Sequence, residues 1–98
     1  MSQAQTSEVM HNQEAARFEL RVQGQLAFAQ YQLIDGVMWL THTETPPALR
    51  GHGLAAQVVR AALDHARTHG LRVRPACSYV RAYLRRHPEA QDLGSVDI

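Results

Sequence analysis

Hydrophobic and polar positions alternate in short runs over the first half of the chain. Phe18, Leu20 and Val22 alternate with Arg17, Glu19 and Arg21, the period of two expected of a strand with one buried face. The runs are broken at Gly24 and at Asp35-Gly36, residue types that tolerate the positive φ of tight hairpin turns. The segment 16–44 therefore predicts an antiparallel meander, and the short run Glu8–His11 predicts a further edge strand before it.

From Leu54 to His69 the period lengthens. Ala55, Val59, Ala62, Leu63 and Ala66 share one helical face, Arg60, Asp64 and Arg67 lie largely off it, and Gly70 supplies the stop. Leu71 and Val73 then alternate with Arg72 and Arg74 as another strand. A strand, helix, strand order implies a crossover that leaves the two strands parallel. Ser78 is the predicted N-cap of a second helix, whose Val80, Tyr83, Leu84 and His87 form a stripe closed by Pro88. The pattern as a whole predicts an α+β fold, a mostly antiparallel mixed sheet carrying two main helices.

Ninety-eight residues suit one domain over 1–98, with 1–7 and 94–98 expected to be flexible. Hydrophobic residues make up 45% of the chain and charged ones 19%, a globular balance, and no apolar run approaches the roughly 20 residues of a membrane span. The first residues carry neither a basic nor an apolar leader region, so the expected compartment is the cytoplasm, with no membrane partner. Cys77 is the single cysteine, which rules out an internal disulfide and a cysteine-rich zinc site within one chain. His65 and His69 stand four apart on one helix, but no third ligand is evident and no metal is assigned. A net charge of +1 and a pI near 8.0 fall below the basicity of a nucleic-acid binder. All ten basic residues are arginine, so no lysine of this chain can be an acyl acceptor.

One loop carries candidate chemistry. Arg50-Gly51-His52-Gly53 leads from the last meander strand into the first helix, whose first N–H groups lack intrahelical partners and point outward. Glycines there remove the Cβ atoms that would obstruct a phosphate, and Arg50 adds fixed positive charge. No Gly-Lys-Ser/Thr follows, and the G-x-G-x-x-G spacing is incomplete, so this is neither a Walker loop nor a dinucleotide fingerprint. On the local pattern alone, a phosphate cradle and a plain strand-to-helix turn stand level.

The run RGHGLA, Arg50 to Ala55, resembles the Arg/Gln-x-x-Gly-x-Gly/Ala signature of the GNAT acyltransferase superfamily. RFEL at 17–20, THTETPPALRGHGLA at 41–55, RPACSYVRAYLRRHPE at 74–89 and QDL at 91–93 extend the resemblance to small, single-domain GNAT-like N-acetyltransferases. The resemblance implies acetyl-CoA as cofactor. Thr43, Glu44 and Thr45 would run along the pantetheine arm, and the pyrophosphate would sit on the N–H groups of Arg50, Gly51, His52, Gly53, Leu54 and Ala55. The thiol would then point toward Cys77 and Ser78.

Acetyl transfer to an amine needs a base, oxyanion stabilisation and a proton donor for the departing thiolate. His42 and Glu44 are the candidate bases, and Tyr79 and Tyr83 the candidate donors. Cys77, at a strand end just before a helix N-terminus, is either a covalent acyl acceptor or a wall of the acyl pocket. The larger family members build their acceptor site from extra helices and strands that this chain has no room for, with ten residues after Pro88. The groove would be shallow, open to an amine on a protein or other macromolecule, or completed by a partner chain as in a homo-oligomer. Two functions follow from the resemblance: an acetyl-CoA-dependent N-acetyltransferase, or a CoA or acyl-CoA-binding module or sensor without turnover.

Overall fold

Two-residue turns set the sheet. Gln23-Gly24 and Asp35-Gly36 all have positive φ (55°, 75°, 51° and 78°), the backbone twist that suits the flanking strands of a hairpin. In the computed structural model, which describes residues 8–94, they join β2 (Arg17–Val22), β3 (Gln25–Ile34) and β4 (Val37–Glu44) into the predicted antiparallel meander. The edge strand β1 forms at Met10–Asn12, two residues later than the apolar run at Glu8 suggested, because Met10 to Asn12 face Glu19 to Arg17 across the ladder.

Helix α1 (Leu54–Thr68) then crosses over to β5 (Arg72–Pro75), which pairs parallel with β4, and α2 (Ser78–Arg86) follows. The order β1-β2-β3-β4-β5 is a five-stranded mixed sheet with one parallel pair. The expected α+β architecture is therefore the one observed.

Both helices lie on one face of the sheet. Phe18, Leu20, Ala29, Met38, Leu40 and Val73 project there and are buried against Val58, Val59 and Ala62 of α1 and Val80 and Leu84 of α2. Among the described residues the other face has no helix on it. Arg17 lies over the Phe28 ring at 4.6 Å and Arg74 over the Trp39 ring at 5.2 Å, so each guanidinium covers an aromatic that the sheet leaves half-exposed.

Thr41 is one residue too many for the β3–β4 ladder. Tyr31 pairs with Leu40 and Gln30 with His42, which leaves Thr41 as a bulge. The bulge inverts the alternation: Leu40 and Thr43, three apart, both face the helices, whereas His42 and Glu44 turn to the open face. Just beyond it, β4 and β5 separate. Their ladder ends at Leu40 and Pro75, where the Ala76 N–H donates to the Leu40 carbonyl, while β4 runs on to Glu44.

One expectation is corrected. Cys77, not Ser78, caps α2: its backbone is extended (φ −109°, ψ 138°), and Ser78 is already helical. Gly94 is buried; a Cβ there would run into the Val73 carbonyl oxygen, and the neighbouring Leu93 carbonyl accepts the Val73 N–H. Of the residues expected to be flexible, 1–7 and 95–98 lie outside the described residues. No helix among the described residues is long and apolar enough to cross a membrane.

Candidate functional site

Where β4 leaves the sheet, the chain folds into the glycine loop. Pro47–Leu49 form one 3-10 turn pinned by the buried Leu49, and Gly51 (φ 86°) and Gly53 (φ 76°) take left-handed conformations. Gly53 is the N-cap of α1. No side chain caps this helix and no acidic residue lies in its first turn, so its N–H groups and the positive end of its dipole are left to the solvent or to an anion. The space around both glycines is open. Arg50 sits beside them, its Nε donating to the Thr45 carbonyl at 3.4 Å.

The loop forms the mouth of a cleft of about 370 Å³. Thr43, Glu44 and Thr45 make one wall, Arg50, Gly51, Gly53, Leu54 and Ala55 another, and Tyr79 closes the α2 side. These are most of the residues expected along a cofactor. His52 and Ser78 are exposed and stand outside the lining. The glycines bend the loop so that His52 projects away, and Ser78 is displaced because the helix begins with it.

Beside the cleft, in the gap between β4 and β5, lies Cys77. Its Sγ shares a hydrogen bond with Thr43 Oγ1 at 3.6 Å. Burial acts to raise the thiol pKa, but hydrogen bonds from the Val80 backbone, the Thr43 hydroxyl, and the Tyr79 and Thr43 backbones outweigh it and hold the thiol below its ordinary value. The Thr43 hydroxyl and the first turn of α2 thus stand next to one half-buried sulfur, a setting suited to negative charge. The role of Thr43 is invisible in the sequence, because only the bulge at Thr41 turns its side chain to this face.

The remaining candidates separate into three places. Tyr79 is in the cleft; burial raises its hydroxyl pKa and the Arg86 charge partly offsets this, so it keeps its proton at neutral pH. Tyr83 is elsewhere, buried between the helices and stacked on His87 with ring centroids 3.9 Å apart. His42 Nε2 and Glu44 Oε1 meet at 2.9 Å, both exposed, on the open side of the sheet beside Phe28. The site therefore has two sides at the end of β4: a cleft beside the Cys77 gap on the helix side, and a histidine-carboxylate pair on the other.

Comparison with known proteins gives the context. Residues 17–93 match the family model described as GCN5-related N-acetyl-transferase. Protein NATD1 of Mus musculus is 32% identical over 88 residues, spanning 87% of this chain and 80% of the relative. The human NATD1 is also 32% identical, over 87% of this chain and 78% of its own length. The frog (Xenopus tropicalis) protein is 29% identical over 95% and 88%. The solution structure of a GCN5-like protein from Staphylococcus aureus superposes with a TM-score of 0.65 at 22% identity, over 88% of this chain and 85% of that one, and so shares the fold. With the family model matched along most of its length, over the cleft and the gap alike, this chain belongs to the GCN5-related N-acetyltransferase family.

Proposed function

We propose that the chain binds acetyl-CoA in the cleft and transfers its acetyl group to an amine acceptor approaching from the open face of the sheet. The observation that carries this reading is the uncapped, glycine-flanked N-terminus of α1 at the mouth of a cleft that lies against the β4–β5 gap. Acetyl-CoA is the general co-substrate of the family.

The residues present fit that ligand. A diphosphate suits the N–H groups of Gly51 to Ala55 with Arg50 beside them, since nothing else neutralises that helix end and no Cβ stands in the way. The arm would run along Thr43 to Thr45. When bound, the co-substrate supplies an acetyl group activated as a thioester. The chain's own groups then have distinct tasks. The Thr43 main chain, beside the Cys77 sulfur, supplies a donor for developing negative charge. Tyr79 holds a proton for a departing thiolate. From the other face, the His42–Glu44 pair takes the proton of the incoming amine, directly or through water. The pair is exposed on the open face, which suits an amine carried on a macromolecule, and any lysine acceptor belongs to another molecule because this chain has none.

Calorimetric titration with acetyl-CoA and with CoA, together with intact mass after incubation with acetyl-CoA, tests the reading. Wild type binds both ligands; Arg50→Ala weakens them about tenfold, or about 1.4 kcal/mol, and Gly53→Val abolishes binding. A mass gain of one acetyl group that is absent in Cys77→Ala assigns transfer through the Cys77 sulfur, and binding with no gain leaves direct transfer or a module without turnover. Turnover over a panel of amines separates the enzyme from a CoA-binding module. Failure of wild type to bind either ligand overturns the proposal.

A further inference from the structure

At the far end of α1 from the glycine loop, three imidazoles pack in a row. His65 and His69, on the last turn of the helix, stack with ring centroids 4.0 Å apart. The edge of His65 meets His11 of β1 at 4.6 Å, and His11 in turn lies flat on Phe18 of β2 at 4.2 Å. His11 Nε2 shares a 2.6 Å hydrogen bond with the Tyr31 hydroxyl of β3, and His69 Nδ1 donates to the His65 carbonyl at 3.0 Å. This is not a metal site. Ring nitrogens donate in the plane of the ring, so stacked rings cannot aim their lone pairs at one ion, and no group of three or more ligating side chains among the described residues is arranged to hold one.

We propose that His11, His65 and His69 form a proton-operated latch: uncharged, they fasten β1 to the end of α1, and protonation releases the strand. The geometry makes the cluster intolerant of charge, because adding protons places like charges on rings in contact. Burial, and then the charge of His69, lowers the proton affinity of His11; burial, then His69, then His11, lowers that of His65. Phe18 of β2 does not ionise, and Tyr31 of β3 stays neutral because burial raises its hydroxyl pKa. Asp64 of α1 lines the same cleft and favours the protonated rings, yet burial prevails at both His11 and His65. The cleft, about 380 Å³, opens to solvent and gives protons access.

The strand it holds is weakly held otherwise. Among the described residues β1 has three residues, pairs with β2 alone, and leaves Met10 65% exposed; outside the cluster, Asn12 Nδ2 donates to Glu19 at 3.0 Å and Asn12 Oδ1 accepts from the Ala15 N–H at 3.1 Å. The sign follows from linkage. The closed state binds protons less tightly than the released one, so the latch is fully effective above about pH 6.5, the ordinary imidazole value, and is lost as pH falls from there through the lowered values. Release bares the Phe18 ring and one side of β2.

Amide hydrogen exchange of the full chain at pH 7.5 and 5.0, expressed as protection factors, tests the latch. The amides of the β1–β2 ladder lose at least tenfold in protection at the lower pH, while those between β3 and β4 keep theirs. In His65→Phe/His69→Gln, which keeps an aromatic against His11 and removes two titrating rings, the acid loss shrinks to threefold or less. In wild type, the ring protons of His11 and His65 titrate below pH 6.5, together with the amide change; this decides the matter even if the double variant does not fold. Unchanged protection across pH, no protection at either pH, an equal loss in the double variant, or ring midpoints at or above 6.5 would overturn the proposal. None of these outcomes depends on the ligand of the cleft.

Discussion

Thr43 Oγ1 and Cys77 Sγ face each other at 3.6 Å across the gap where β4 and β5 part. The contact joins positions 34 apart in sequence and is one of the influences, with the Val80 backbone, that offset burial and lower the proton affinity of the only thiol. Folded Cys77 therefore ionises at lower pH than the same thiol in the unfolded chain, despite its burial. The stabilisation this brings is complete above the unfolded thiol value and falls away as pH drops through the folded one. The rate of alkylation by iodoacetamide against pH, followed by intact mass, checks it: the midpoint for native protein lies below that in urea, Thr43→Val moves it up, and Thr43→Ser leaves it near wild type. A native midpoint at or above the urea value would show that burial prevails.

Leu40 stands at the last rung of the β4–β5 ladder and is fully buried, 0% exposed. Leu40→Ala removes its methyl groups from a packed core and costs about 2–5 kcal/mol, depending on how far the neighbours close in. Urea unfolding reads this as a lower midpoint at constant m-value.

Gly53 presents the opposite case. A Cβ would meet nothing within 4 Å, yet φ is 76°. Gly53→Ala thus costs about 1–2 kcal/mol for the left-handed backbone alone. Chemical denaturation gives the number, and a loss under about 0.3 kcal/mol would mean that the loop adopts another conformation.

Gly94→Ala meets backbone instead of space, at the Val73 carbonyl oxygen. The end of the chain must shift, costing about 1–3 kcal/mol. Exchange of the Val73 amide, which donates to Leu93, reports it directly: protection falls in the variant more than at the β3–β4 amides.

Much of this was legible in the sequence, for reasons that can be named. The hairpins could be placed because Gly24 and Asp35-Gly36 mark positive φ, and the parallel pair because a helix separates its strands. The glycine loop was legible because its glycines are needed at two left-handed positions and its arginine stands beside a helix start. Three features were not. The bulge at Thr41 carries no glycine or proline to announce it, and without it the faces of His42, Thr43 and Glu44 cannot be assigned. The cap of α2 went to Ser78 by type, whereas the extended backbone falls one residue earlier, on Cys77. The pairing of His65 and His69 was visible from their spacing, but their partner His11 comes from an edge strand 54 positions before His65 and is joined only in three dimensions.

The packing of Leu93 and Gly94 along β5 has a consequence for how the molecule meets its own copies. Val73 gives its N–H to Leu93, Pro75 has none to give, and the Pro75 carbonyl is occupied by Arg81 Nη1 at 3.0 Å. The opposite border of the sheet is a strand of three residues. Among the described residues, neither rim offers a long row of unpaired main-chain groups on which another extended chain could template, an arrangement that guards these two borders against aggregation by strand addition.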